Sequence, residues 1–288
     1  MNHKSNITFA YFGNSRFSVL MLDELERAGF MPACVVTTPD REKGRGLVLT
    51  PTPVKEWAVK RNIKVFTPEA LDESFIAEIK KENCDVFIVV SYGKIMPAAL
   101  IDLPPHKTLN VHVSLLPKYR GASPMQSAML DDTKDTGVTI IELDPKMDHG
   151  PIVTAKPFSV KEWPTYNEFE DIMAREGGEL LASTLPGWVS GEVKATEQDH
   201  RQATRAKKIT KEDGLIDLNA ADQYANFRKI QAFHEWPTAY FFADRAGKKI
   251  RVKITAASFK GGKLTIEKVV PEGAREMDYN DFLKGLNR

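Results

Sequence analysis

The sequence predicts an α/β protein, a parallel sheet covered on both faces by helices and followed by a small β-rich second domain. Three observations carry that prediction. Short β-branched runs alternate with helically spaced apolar residues as far as Val113; parallel strands need crossover helices, so such a sheet is written along a chain as this alternation. After Val113 the rhythm changes. From Arg201 onward 18 Lys/Arg stand against 11 Asp/Glu, a surplus of +7 that leaves −6 on the residues before it.

In chain order, Ile7 to Phe12, Ala33 to Thr37, Lys64 to Phe66, Asp85 to Ser91 and Thr108 to Val113 read as strands. Phe17, Leu20 and Met21, then Leu71, Phe75 and Ile79, recur between them at helical spacing. Val138 to Leu143 and Ile152 to Val160 read as two further strands joined by the turn-rich stretch DPKMDHG. A helix follows, with Phe169, Ile172, Met173, Leu180, Leu181 and Trp188 along one face and Thr165 as its N-terminal cap. Residues 191–208 are polar and aperiodic, and read as a linker between a first domain, 1–190, and a second, 209–288. In the second, a helix is expected around Ala220 to Ala232, then strands over Lys249 to Ala256 and Lys263 to Val270.

With 42% hydrophobic and 27% charged residues, the 288-residue chain has the apolar mass of one large or two ordinary domains, which excludes disorder as its dominant state. No apolar run approaches the roughly 18 to 20 uncharged residues that cross a bilayer, and Met1 to Thr8 lacks the apolar stretch of a signal peptide. The expectation is a cytoplasmic monomer without membrane contact. Cys34 and Cys84 sit on apolar stretches without a CxxC or a nearby histidine, as packing residues do. No His/Cys/Asp cluster has ligand spacing, so no metal is expected. The basic surplus suits a polyanion-binding appendix, although solvated lysines on an ordinary domain give the same asymmetry.

Ligands of such a sheet bind at the carboxyl ends of its strands, so chemistry is expected there. The first strand-to-helix turn, FGNSRFS, carries Gly13 alone where a dinucleotide fingerprint uses three glycines, which argues against NAD. Gly44-Arg45-Gly46 does not follow a strand directly and lacks a P-loop Lys-Ser/Thr; taken alone it is a flexible loop with Arg41 and Arg45. LNVHVSLLPKYRGASP, Leu109 to Pro124, is more informative. Asn110 and His112 are two apart at a strand end, so their side chains leave the same face. An amide that donates to a developing oxyanion, beside an imidazole that exchanges protons near neutrality, suits acyl transfer. Asp148, in the MDHGP turn, is placed to orient His112 and stabilise its charged form. Plainer uses exist: Asn110 and His112 would also serve to satisfy loop backbone, and Asp148 an Asx turn before Gly150.

LNVHVSLLPKYRGASPMQSAM followed by TGVTIIELDPKMDHGPI resembles the formyltransferase family that uses 10-formyltetrahydrofolate. The resemblance implies a Rossmann-like N-terminal formyltransferase domain and a shortened, OB-like C-terminal domain. It places the family's catalytic set on Asn110, His112 and Asp148, its tetrahydrofolate-contacting segment on Ser114, Leu115, Leu116 and Pro117, and a pterin-lining strand end, within VVSYGKIMP, on Tyr92 and Gly93. The donor it implies is 10-formyltetrahydrofolate, with tetrahydrofolate as product.

VVTTPDREKGRGLVLTPTPVKEWA, Val35 to Ala58, resembles an inserted loop of the branch that formylates methionyl initiator tRNA, which implies that Arg41, Lys43 and Arg45 meet the acceptor end of the tRNA. Ala203 to Leu218 and Ile230 to Tyr240 resemble that branch's linker and the start of its tRNA-binding domain. Two departures bear on tRNA binding. Leu47 and Val48 stand where relatives often place lysines, and between Ser258 and Leu264 the chain is short of a segment that relatives use for additional barrel strands. A formyltransferase acting on an amino-sugar nucleotide shares the fold, donor and catalytic set, and a catalytically silent RNA-binding protein on this fold is a further alternative.

Overall fold

The computed structural model describes residues 7–44, 46–245 and 247–286; at Lys43 only the backbone is described. In chain order the elements are β1 (Phe9–Gly13), α1 (Arg16–Arg27), β2 (Cys34–Val36), β3 (Arg41–Lys43), β4 (Val48–Thr50), α2 (Pro53–Lys60), β5 (Lys64–Phe66), α3 (Glu73–Ile79), β6 (Val86–Val90), α4 (Ala98–Ile101) and β7 (Thr108–His112). There follow β8 (Arg120–Gly121), α5 (Pro124–Leu130), β9 (Asp135–Glu142), β10 (Ile152–Ser159), α6 (Tyr166–Val189), β11 (Arg205–Ala206), α7 (Gln223–Ala232), β12 (Tyr240–Arg245), β13 (Lys248–Lys260), β14 (Lys263–Pro271), β15 (Met277–Asp278) and α8 (Tyr279–Leu286).

By packing, the chain forms two compact units. The first takes the residues up to Arg120, Gly137–Phe158 and Asp171–Arg205. It is built on a seven-stranded sheet of order β10-β9-β7-β6-β1-β2-β5, in which β5, β2, β1, β6 and β7 run parallel and β9 is antiparallel to β7. The parallel, doubly wound sheet that the alternation predicts is therefore present. Its inner strands β1, β2 and β6 are buried on both faces, as central parallel strands must be. Ala10, Phe12, Phe87 and Val89 pack with α3 and α4 residues such as Phe75, Ile79 and Leu100. On the other face the Tyr11 hydroxyl donates to Ser18 O of α1 at 2.8 Å. The chain winds outward through β1, β2 and β5 and then returns to lay down β6 and β7, so the order reverses between β1 and β6.

The second unit takes Gly121–Thr136, Ser159–Glu170 and the chain from Ala206. Its sheet is an antiparallel meander, β12-β13-β14-β15, over a core that includes Ile216, Ile230, Phe241, Val252, Val269 and Phe282. Where the sequence is short of a segment, β13 turns straight into β14: Lys260 pairs with Lys263 across Gly261 and Gly262, whose φ values of 58° and 77° a residue with a Cβ rarely adopts. The Thr165 cap is present, with Glu168 Oε2 accepting from both the Thr165 N–H and hydroxyl.

The sequence reading divides the chain at residues 190 and 208, whereas the packing interleaves the units along it. The reason lies in side chains from the middle of the chain: Trp163 Nε1 donates to Asp132 at 2.7 Å, Tyr224 of α7 reaches Asp132 at 3.3 Å, and α5 packs on α7. The linker stretch is also structured. Thr196 bridges to Ile152, and Gln198 is buried. The flexible loop of the sequence reading is a short ribbon, β3 pairing antiparallel with β4. Strand β12 and helix α8 have no counterpart in the sequence reading.

Candidate active site at the carboxyl edge of the sheet

The first turn carries one glycine because polar side chains do what glycines do in a dinucleotide fold. Ser18 Oγ donates to Val90 O at 2.7 Å, fastening the first turn of α1 to the end of β6. Asn14 donates to Tyr92 O beyond β6 and accepts through Oδ1 from Thr37 Oγ1 and Thr38 N, both at 2.8 Å, beyond β2. One amide thus joins the carboxyl ends of three strands at the point where the strand order reverses, the position where doubly wound sheets bind ligands. In the sequence, Asn14 stood inside a failed nucleotide fingerprint, and only its place one residue past a strand could have marked it.

Next to β6 lies β7, in which Asn110 pairs with Val89 on one side and Ile141 on the other. Asn110 and His112 share a sheet face, as their spacing requires. Asn110 is half-buried, and its side-chain amide has no hydrogen-bond partner among the described residues. His112 is 6% exposed. Its Nε2 donates to Tyr119 O at 2.9 Å, and its Nδ1 lies 3.5 Å from Asp148 Oδ1. A carbonyl cannot donate, so the Tyr119 bond requires a proton on Nε2 and leaves Nδ1 facing the Asp148 carboxylate. The structure thus brings Asp148 to His112 across the loop between β9 and β10, and leaves Asn110 as the free donor on the same face.

Ser114, Leu115, Leu116 and Pro117 follow β7 directly and are locked from within. Thr139 Oγ1 donates to Ser114 O at 2.7 Å and accepts from Leu116 N at 3.1 Å, and Ser114 Oγ donates to Lys118 O at 2.7 Å. These bonds consume much of the segment's polar capacity, so what it offers a ligand is mostly apolar. Tyr92 and Gly93 sit one strand over. The Tyr92 ring is turned into the core against Phe12, and burial pushes its phenol up to about 12; Gly93, with φ 78°, is the exposed member of the pair.

Arg41, Lys43 and Arg45 belong to the ribbon that leaves the carboxyl end of β2. Arg41 is exposed, Lys43 lies on β3, and Arg45 lies outside the described residues. Leu47, Val48 and Leu49, at 65% exposure each, form an apolar flank there. In the second unit, β13 alternates over Lys249 to Ile254: Ile250, Val252 and Ile254 face the core, which puts Lys249, Arg251 and Lys253 on the other face. Lys249 lies over the Phe242 ring at 4.5 Å and Arg251 over the Tyr240 ring at 3.7 Å. Among the described residues, no group of three or more His, Cys, Asp or Glu side chains could hold a metal ion, and no helix is long and apolar enough to cross a membrane.

At the carboxyl edge of this doubly wound sheet the Asn110 amide, the buried His112 imidazole and the part-buried Asp148 carboxylate are groups whose chemistry suits acyl transfer. The chain belongs to the formyl transferase family, whose sequence profile matches residues 5–185. It is 39% identical over 247 residues to the methionyl-tRNA formyltransferase of Sulfurihydrogenibium sp., a match covering 85% of this chain and 79% of that protein. Among solved structures, its fold is similar to a methionyl-tRNA formyltransferase from Clostridium thermocellum, with TM-score 0.63 and 15% identity over 92% of this chain and 98% of that one. It is also similar to HypX from Aquifex aeolicus in complex with tetrahydrofolic acid, with TM-score 0.66 and 15% identity over 97% of this chain and 47% of that one.

Proposed function

We propose that the chain transfers a formyl group from 10-formyltetrahydrofolate to the amino group of methionine esterified to initiator tRNA. One observation carries the reading: the unpartnered Asn110 amide lies on the same strand face as the His112 ring held between Tyr119 and Asp148, in a family whose relatives are named for this acceptor. The neutral amine attacks the formyl carbon, forming the new C–N bond while the carbonyl electron pair moves onto oxygen. Asn110 donates its N–H to that oxyanion. His112, held between Tyr119 O and the Asp148 carboxylate, is the proton-transfer group or second stabiliser on the same face; donors already in position need no reorganisation as the charge develops. Collapse of the oxyanion re-forms the carbonyl and breaks the bond to N10 of the folate, whose electron pair goes to that nitrogen; N10 gains a proton as the attacking nitrogen loses one. Ser114 to Pro117 supply an apolar wall for the pterin, and the Tyr92–Gly93 turn supplies backbone and an open surface at Gly93.

The basic face of β13, with Lys249 and Arg251 over aromatic rings and Lys253 beside them in register, suits phosphate contact, and Arg41, Lys43 and Arg45 are the residues to meet the acceptor end. Residues 209–288 contain this face and form most of the tRNA-binding domain. The protein works as a cytoplasmic monomer on these two substrates. The test is to incubate the full chain with 10-formyltetrahydrofolate and either charged initiator tRNA or an amino-sugar nucleotide. Formylmethionine on the tRNA is expected, with Arg45→Ala raising the tRNA requirement and leaving folate use unchanged. Formylation of the sugar alone, or of neither acceptor, would overturn the assignment.

A further inference from the structure

We propose that Gln198 is a positioning residue for this site, acting through Asp148 on His112; the inference rests on the formyl-transfer reading above. Gln198 comes from the stretch that reads as a linker, yet it is 5% exposed and its amide is saturated. Its Nε2 donates to Asp148 O at 3.1 Å and to Gly150 O at 2.6 Å. Its Oε1 accepts from Arg120 Nε at 3.2 Å and from Arg120 Nη2. A guanidinium only donates and a backbone carbonyl only accepts, so the amide fits one way round, and rotating it would strand buried groups on both sides. Gln198 therefore grips the turn at the two carbonyls that flank His149.

That turn needs holding. Asp148 has φ 50°, a left-handed conformation that residues with a Cβ seldom adopt. On its other side the turn is pressed against β9, where a Cβ on Gly150 would lie 1.9 Å from Glu142 O. The Asp148 carboxylate stands 3.5 Å from His112 Nδ1, a separation at which a small rotation of the turn decides whether a hydrogen bond exists. Arg120, the other partner of Gln198, directly follows Tyr119, whose carbonyl holds His112 Nε2. The five residues His112, Tyr119, Arg120, Gln198 and Asp148 thus close a circuit around the imidazole, and Gln198 joins the arm on Nε2 to the arm on Nδ1. A weaker second path runs beside it: His149 stacks on His200 at 4.1 Å, and His200 Nδ1 meets Arg120 at 2.8 Å. Because that path survives the loss of Gln198, the loss should be partial.

The experiment is a double-mutant cycle on the full chain, read as single-turnover formyl transfer and as steady-state kcat and KM. Gln198→Leu, which keeps the volume and removes the amide, should lower kcat roughly ten- to a hundredfold, the scale on which small misplacements of reacting groups act. KM for both substrates should stay within about threefold, and in an Asp148→Ala background the same substitution should add less than about twofold. Gln198→Glu, which keeps the acceptor for Arg120 but sets a carboxylate oxygen against two carbonyls, should lose at least as much as Gln198→Leu. Parent-like kcat in a folded Gln198 variant, or a loss undiminished without the Asp148 carboxylate, would overturn the proposal. If both Gln198 variants fail to fold, the cycle with Arg120→Ala decides by the same criterion. A parent that formylates neither acceptor breaks the reaction assignment, whereas an active parent with additive losses breaks the positioning role alone.

Discussion

The two edges of the seven-stranded sheet differ in chemistry rather than in depth. At the carboxyl edge the buried groups are polar and paired: Asn14 holds Thr37 and Tyr92 O, Thr37 holds Thr52 at 2.6 Å, and Gln198 holds the Asp148 turn. At the amino edge the buried groups are two thiols and the Thr108 hydroxyl that opens β7, which donates to Ile101 O at 2.7 Å. Cys34 opens β2 and Cys84 precedes β6, both buried, and the Cys84 thiol beside it, together with burial, pushes the Cys34 thiol up. A cleft of about 240 Å³ opens there, lined by Lys80, Asn83, Cys84, Leu103 and Pro104 among others. It has concavity without an assembled set of donors. The carboxyl edge instead sets the Asn110 amide and the His112 imidazole on one strand face.

The sharpest way to break this contrast is at the carboxyl edge. Asn110→Ala or His112→Ala should cut turnover ~10²–10³-fold, as loss of an oxyanion donor does, while titration with tetrahydrofolate shows binding retained. Near-parent turnover would remove that residue from the mechanism. Next comes Gly150→Ala: a Cβ 1.9 Å from a backbone oxygen must displace β9 or the turn, with a loss of ~3 kcal/mol in denaturant unfolding. An unchanged midpoint would mean the turn is slack and Asp148 loosely held. At the amino edge, Cys34→Ala should lose ~1 kcal/mol of packing and leave kcat within about twofold of the parent; a large kcat effect there would erase the distinction between the edges.

The smallest effect concerns Tyr92, whose buried hydroxyl has no partner among the described residues. A buried hydroxyl without a partner costs its desolvation, so Tyr92→Phe should raise stability slightly, by less than ~1 kcal/mol, at neutral pH. The folded phenol titrates at about 12, above its ordinary value of 10.0. Stability is therefore lost as pH rises from 10 toward 12, where the unfolded phenol ionises first. The variant should lack that share of the alkaline loss. Equal alkaline profiles would show the hydroxyl to be solvated.

What the sequence made legible was local. Strand and helix alternation marked the sheet, and Asn110, His112 and Asp148 stood out because a period of two and a recognisable pair of motifs put their chemistry on one edge. Asn14 and Gln198 stayed hidden because their work is done on backbone carbonyls 78 and 48 to 50 residues away, a relation that leaves no periodicity. A polar, aperiodic stretch holding a buried glutamine looks the same on paper as a solvated linker. The β3–β4 ribbon was hidden for another reason: with exposed Leu47, Val48 and Leu49, it lacks the buried side that makes a strand readable.

The interleaving of the second unit bears on how the protein is born. Residues 121–136 and 159–170 leave the ribosome well before the chain from Ala206 that completes their unit. In the finished protein Trp163 is 3% exposed and Met129 fully buried, yet α7, on which α5 packs, is translated about a hundred residues after α5. Until the chain from Ala206 has emerged, the nascent chain carries sticky, unfinished surface in its middle, the kind of exposure that recruits chaperones. A gene cut at residue 208 would make that transient state permanent in both halves.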